Sequence, residues 1–297
     1  MTTSANITCI NDLSSAKIIW DTLSDRNCLY DVWDFRYRFY HYYKYPLYFY
    51  TDYHDSEPVA LLPLQFNTDI DKLEFFGGDY MENNRIYSKS GYKGTLQDYV
   101  QLFDKPYYLE YINENMGIQN NLPIQEMTYA LDIRSFHNQN EYIEYAFEGK
   151  QRKNLKREMR IITDLGIEVK TNVMNDVNLL MDLNIQTFGA KSYFNREYWR
   201  NIFTELTTLS FNVYLLTFVV DGIKRGASLA FLYNDVYYYF NTGSDKDAVP
   251  NLGKFITLTN IETAIKSGAH YFDAGVEDLG WKRHWKLNEK ALYIAEG

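Results

Sequence analysis

One pattern runs twice along this chain and fixes the kind of architecture it can adopt. In the first half, LYFYTDYHDSEPVALLPLQFN holds two extended runs about a polar turn, followed by KLEFFGGD. In the second half, FNVYLLTFVVDGIKRGASLAFLY holds two such runs about Asp221-Gly222, followed by VYYYFNTGSD. An Asp-Gly pair between β-rich runs is a strong hairpin signal, because both turn positions need positive φ. Each meander follows apolar residues at helical spacing. In the second half these are Val177, Leu180, Met181 and Phe188, then Tyr198, Ile202, Phe203 and Leu206, with Asn175 and Asn195 as expected N-caps. In the first half Ile18, Ile19 and Leu23 are spaced alike. Helices, hairpin, third strand, helix and strand therefore recur, predicting an α/β chain with mixed sheets in two modules, 1–140 and 141–297.

With 297 residues, 46% hydrophobic and 23% charged, the chain holds enough apolar side chain for such cores. No apolar run reaches the ~18 residues of a membrane-spanning helix, and Met1 to Asp12 lacks the basic start and apolar stretch of a secretory signal, so a cytoplasmic protein is expected. Cys9 and Cys28 are too few for a disulfide framework, and the five His show no metal-ligand spacing. The net charge of -9 excludes a protein that coats nucleic acid through a general basic surface. The 28 Tyr and 18 Phe serve equally as core filling or as a stacking groove.

Between the modules, EYIEYAFEGKQRKNLKREMRIITDLGIEV reads as one long helix stopped at Gly166. Lys150, Lys153, Arg157 and Arg160 fall on one face and Leu155, Met159 and Ile162 on the opposite one. The basic face is either a solvated surface or a contact for an anionic partner such as CoA phosphates, a phosphorylated carrier or an RNA acceptor end.

The chemistry-bearing segment begins after the strand Val236–Thr242. The loop GSDKDAVPNLGKF leads into a helix over 255–266, and small residues ahead of a helix N-terminus make a pyrophosphate cradle from unpaired amides and a positive dipole end. Asn251, Gly253 and Lys254 are the candidates there; an ordinary turn would need only Pro250 and Gly253. Past the Gly268 stop, Asp273, Glu277 and Asp278 lie close in sequence to Lys282 and Arg283, a set suited to holding an amine and taking its proton, or to a surface loop of paired charges. In the first half, Gly77, Gly78, Asp79 and Tyr80 follow the meander and either line a site or form a tight turn.

The stretch NLGKFITLTNIETAIKSGAHYFDAGVEDLGWKRHW is similar to the C-terminal signature of the FemAB-like, BioF2-like (CelD-type) acyltransferases. There a Gly-led helix precedes G…FDFG and YK..W elements, approximated here by Phe272, Asp273, Gly275, Trp281, Lys282 and Trp285. The linker TYALDIRSFHNQNEYIEYAFEGKQRKNLKREMR also resembles theirs. The resemblance implies a tandem GNAT-like acyl-CoA N-acyltransferase fold, the second copy holding the donor and the cleft between copies taking the acceptor. It implies an acyl-CoA co-substrate, acetyl-CoA by default, with no permanent cofactor or metal, and a small-molecule amine, amino sugar or amino acid as acceptor. It places the pantetheine arm along Tyr238, Tyr239, Phe240 and Asn241 and the phosphates at Asn251, Leu252, Gly253 and Lys254. Asp273, Glu277, Lys282 and Tyr239 become the catalytic candidates, with Gly78, Asp79, Tyr80 and Trp281 toward the acceptor. Phe255 stands where the family's donor loop has a second small residue, and Trp281 replaces a Tyr. The alternatives are an aminoacyl-tRNA-dependent ligase of peptidoglycan precursors, whose coiled-coil arm has no counterpart here, and a non-catalytic glycan- or partner-binding protein.

Overall fold

The computed structural model describes residues 6–113, 122–278 and 280–297. They divide into two compact units, one of 1–128 with 290–297 and one of 129–289. The first runs β1 (Asn6–Ile10), α1 (Leu13–Leu23), α2 (Trp33–Tyr43), β2 (Leu47–His54), β3 (Glu57–Asn67), β4 (Lys72–Phe75), β5 (Tyr87–Ser88), α3 (Leu96–Val100) and β6 (Tyr108–Ile112). The chain passes into the second within β7 (Ile124–Asp132). It continues with α4 (Gln139–Ala146), α5 (Gly149–Asp164), β8 (Glu168–Thr171), α6 (Val177–Phe188), α7 (Glu197–Leu206), β9 (Asn212–Val220), β10 (Ile223–Tyr233), β11 (Val236–Ser244), α8 (Leu252–Lys266), β12 (Tyr271–Asp273) and β13 (Asn288–Glu296).

Both units order their strands alike. β1-β2-β3-β4 and β8-β9-β10-β11 are antiparallel meanders. Each then gains a parallel neighbour after a helix: Leu73 bridges Tyr107 in the first unit, and β11 pairs β12 in the second. The hairpin turns also match. Asp55 and Ser56 stand at φ 49 and 65, Asp221 and Gly222 at φ 51 and 73, as a two-residue turn with right-handed strand twist requires.

Three details depart from expectation. The long linker helix is two helices, because Phe147 is extended and Gly149 takes φ 47. Asn175 and Asn195 do not cap the helices after them; the cap positions are Asp176 and Arg196, neither with a side-chain cap bond. Asn195 instead donates to the carbonyls of Gly189 and Ser192, while buried Asp176 accepts from Thr217 and Lys224. α8 also begins earlier than its apolar periodicity suggests, at Leu252, because Leu252 is a core residue.

α8 is held on the second sheet by one polar side chain. Asn260, fully buried, accepts from the Tyr237 hydroxyl on β11 at 2.8 Å, and its amide donates to Ser228 Oγ on β10 at 2.9 Å and to the Ile256 carbonyl at 2.8 Å. Two glycines permit close approach on the two faces of this sheet. A Cβ on Gly226 would meet Ile256 of α8 at 2.8 Å, and one on Gly243 would meet the Leu180 carbonyl and Leu183 Cβ of α6 at 2.9 Å.

Two substitutions test this packing by urea denaturation. Asn260→Ala strands the buried Tyr237 and Ser228 hydroxyls and is expected to lower stability by about 2–4 kcal/mol. Gly243→Ala must push α6 off the sheet and is expected to cost about 1–3 kcal/mol. A change below about 0.5 kcal/mol, the range of ordinary surface substitutions, would refute either assignment.

Candidate functional site

The second unit opens its sheet at one place. The parallel ladder between β11 and β12 ends at Tyr238 and Asp273, yet β11 runs on to Ser244. At the same point β11 bulges: Leu229 faces Asn241 and Ala230 faces Tyr239, leaving Phe240 as an extra residue. A bulge bends its strand and re-aims side chains. Phe240, half-buried, packs its ring on Phe203 and Phe231, at 5.7 and 5.2 Å. Asn241 carries a buried Oδ1 with no hydrogen-bond partner among the described residues. Tyr238 is buried.

Tyr239 joins this strand to α8. Burial raises its pKa, against a smaller lowering by the neighbouring Thr242 and Thr257 hydroxyls, so the phenol stays protonated at neutral pH. Thr257, in the second turn of α8, donates on to the Gly253 carbonyl at 3.0 Å. Tyr239 and Gly253 are thus both neighbours of Thr257 and belong to the same corner of the fold.

The helix start at that corner keeps donors free. Asn251 holds a left-handed φ of 66, and the Leu252 amide bonds back to Val249 at 3.2 Å. The amides of Asn251 and Gly253 have no partner among the described residues, and an added Cβ at Gly253 would find nothing nearer than Ser244 Oγ at 3.9 Å. Leu252 offers no side chain to a ligand, since it is fully buried. Lys254 is engaged by Glu158 of α5 at 2.6 Å. The loop itself is built by Asp245, whose carboxylate accepts the Ala248 amide at 3.0 Å and pairs with Arg225 at 2.7 Å. The reading of the sequence did not single out Asp245, because an Asp in a polar loop has no periodicity to mark it.

The carboxylates after β12 separate in role. Asp273 sits at the mouth where the ladder ends; burial raises its pKa, against the pull of the Gly275 amide at 2.7 Å and the charge of Lys282. Asp278 is also opposed by burial, but the Lys282 and Gly280 amides and Arg283 outweigh it and hold the carboxyl low. Glu277 is exposed at φ 62. Lys282 is buried, and its ammonium donates to the carbonyls of Ala274 at 2.6 Å, Gly275 at 3.1 Å and Val276. It clamps the chain that follows Asp273. Trp281, half-buried, packs edge-on against Trp285 at 5.7 Å.

In the first unit, Gly78, Asp79 and Tyr80 lie on a loop fixed from below by Arg36. This fully buried guanidinium donates to the carbonyls of Tyr30, Phe76 and Asn83 and to Asn84 Oδ1, at 2.5–3.2 Å. Gly77 and Gly78 take φ 100 and 74, and a Cβ on Gly77 would meet Met81 at 3.0 Å, so the tight turn is real. Tyr80 stacks on Phe39 at 5.6 Å. Under the loop lies Glu74, buried, accepting from Gln65 at 2.6 Å and Asn67 at 2.9 Å; burial drives its pKa to about 7 despite those bonds.

Residues 149–283 match the acetyltransferase (GNAT) domain family. Among solved structures, the crystal structure of FemX aligns over 98% of this chain and 96% of its own, with TM-score 0.61 and 12% identity. The L-PGS of Bacillus licheniformis aligns over 96% and 92%, with TM-score 0.60 and 11% identity. A tandem GNAT protein from the clavulanic acid biosynthesis pathway aligns over 98% and 98%, with TM-score 0.51 and 10% identity. At these identities the likeness is one of fold, and it is the tandem GNAT-like fold that the sequence signature implied. No curated protein matches the chain in sequence. Among the described residues there is no His, Cys, Asp and Glu grouping fit for a metal, and no helix long and apolar enough to cross a membrane.

Glu74 gives this region a pH signature. Its pKa is about 7 when folded against 4.5 unfolded, so the folded state keeps the proton longer and stability falls as pH rises between those values. The slope from this group is at most about 1.4 kcal/mol per pH unit. Glu74→Gln, which mimics the neutral acid, is expected to gain on the parent as pH rises through that window and to keep a constant advantage above it. Denaturation curves for the two proteins that stay parallel at every pH would contradict the assignment.

Proposed function

We propose that this chain, a FemAB-like GNAT protein with its GNAT domain at residues 149–283, moves an acyl group from a pantetheine thioester such as acetyl-CoA onto the amine of a small molecule, amino sugar or amino acid. The observation that carries the reading is the pair of free amides, Asn251 and Gly253, at the head of α8, next to a strand, β11, that runs on past the end of its parallel ladder with β12. Two donors beside a positive dipole end suit a phosphate.

The chemistry follows from that placement. The arm lies along the β11 edge beyond Tyr238, where backbone N–H groups meet the oxyanion as the amine attacks the thioester carbonyl. The C–N bond forms, the C–S bond breaks, and the thiolate takes a proton. Tyr239, protonated and beside Thr257, supplies a hydrogen bond to the departing sulfur. Asp273, its carboxyl held above the ordinary range, receives the amine proton directly or through water. Lys282 serves by position, fixing the 274–276 carbonyls and so the Asp273 strand end. Glu277 and Trp281, on the segment that follows Asp273, are assigned to acceptor binding.

Gly253→Asp tests the donor site without harming the helix. A carboxylate in the first turn favours the helix dipole, so the melting temperature of the free protein is expected to hold or rise. The upward shift that millimolar acetyl-CoA gives the parent is expected to vanish, since binding to the folded state alone raises the melting temperature by mass action. An unchanged shift in the variant would remove the α8 N-terminus from the site.

A further inference from the structure

α5 is a charge anomaly in an acidic chain. It carries six Lys or Arg against two Asp or Glu, while the whole chain is -9. Arg152 and Lys156 pair with Glu144 of α4. Lys150, Lys153, Arg157 and Arg160 are exposed and form no ion pair among the described residues. They line one face over roughly 15 Å, at ~1.5 Å rise per residue. Ile161 and Leu165, 55% and 41% exposed, continue that outward face toward the C-terminus. Helices end-loaded with cations and carrying bare aliphatic side chains on one solvent face are set up to meet a partner that is acidic and partly apolar.

The stripe adjoins the donor corner. Glu158, between Arg157 and Arg160 in sequence, is the residue that binds Lys254 in the first turn of α8. The corner itself is poor in cations. Lys254 is neutralised by Glu158, Arg225 by Asp245, and the loop between β11 and α8 adds Asp245 and Asp247 against Lys246. Phe255 further occupies the place where a second small residue would let a pyrophosphate approach. CoA brings a pyrophosphate and a 3′-phosphate to such a site. A pantetheine arm borne on a carrier protein brings a single phosphodiester, which two free amides and a helix dipole can satisfy.

We propose that the acyl donor is a thioester on the phosphopantetheine arm of an acidic carrier protein, and that the exposed face of α5 is its docking surface. The inference rests on the acyltransfer reading above. The reaction balances without any further reagent: the acceptor amine takes the acyl group, the carbonyl–sulfur bond breaks, and the carrier's arm leaves as the free thiol with the proton the amine gives up. Cations on α5 steer an acidic helix of the carrier, and the arm threads from there to β11.

The test uses the full chain and, as probe, a bacterial acyl carrier protein in apo and acetyl-phosphopantetheine forms, with binding read by fluorescence anisotropy. The acetylated form is expected to bind more tightly than the apo form and to weaken as salt rises. K153E/R157E is expected to lose at least tenfold in carrier affinity while keeping both its melting temperature and its thermal shift with acetyl-CoA. K153R/R157K is expected to bind as the parent does. If the parent responds to acetyl-CoA but does not bind the carrier, or binds it equally well after charge reversal, the carrier inference falls and the acyltransfer reading stands. If neither carrier nor acetyl-CoA binds, both fall. Binding of a single-stranded RNA oligonucleotide that charge reversal abolishes, without carrier binding, would overturn the proposal in favour of a nucleic-acid partner.

Discussion

The carboxamide of Asn260 is the interaction on which the second unit's geometry depends. It sits in an apolar interface where an unpaired amide would be costly, and every hydrogen bond it makes reaches a different part of the corner: Tyr237 on β11, Ser228 on β10 and the helix's own backbone at Ile256. Apolar packing between a helix and a sheet tolerates sliding, whereas three directional bonds do not. The axial position of α8 is therefore set, and with it the height of the free Asn251 and Gly253 amides relative to the bulged strand. Tyr239, one pleat further along, lies beside Thr257 of the same helix.

The first unit solves a similar problem with charge instead of a neutral amide. Arg36 bonds no carboxylate among the described residues; its donors go to carbonyls from the chain near Tyr30 and from the loop that follows β4. A planar guanidinium with five donors can gather several carbonyls at once, which a lysine cannot. Asp31, also buried, takes Arg85 and the Cys28 amide and leaves one oxygen unpartnered among the described residues. The loop of Gly77 and Gly78 is thus held by a rigid polar frame, and Glu74 beneath it is buried deeply enough to keep its proton near neutrality. The two units share a strand order while their polar anchors have diverged.

Charge is distributed unevenly enough to matter. The excess of acid is spread over the chain, and the cations of α5 are concentrated on one exposed face. At physiological ionic strength the Debye length is about 8 Å, so a distant acidic surface screens such a stripe weakly while its own members reinforce one another. The pairing of Lys254 with Glu158 ties this helix to the donor corner.

The amino-acid sequence by itself determined the repeated meander, both hairpin turns, the helices about them and the basic face of α5, because these follow from side-chain period and from turn residues that accept positive φ. The FDAG and WKRHW signature also carried the family likeness before any coordinates. What only the tertiary structure decided lies in contacts between segments distant in the chain. The bulge at Phe240 depends on how β11 registers against β10, the unpaired Asn241 oxygen on what fails to reach it, and the engagement of Lys254 on a helix about a hundred residues earlier. Lys282 reads in sequence as a cation grouped with Asp273, Glu277 and Asp278, but folding buries it against three carbonyls, since backbone geometry rather than charge pairing governs where its ammonium ends. Local pattern encodes elements; which polar atoms are left without partners is a property of the packed whole.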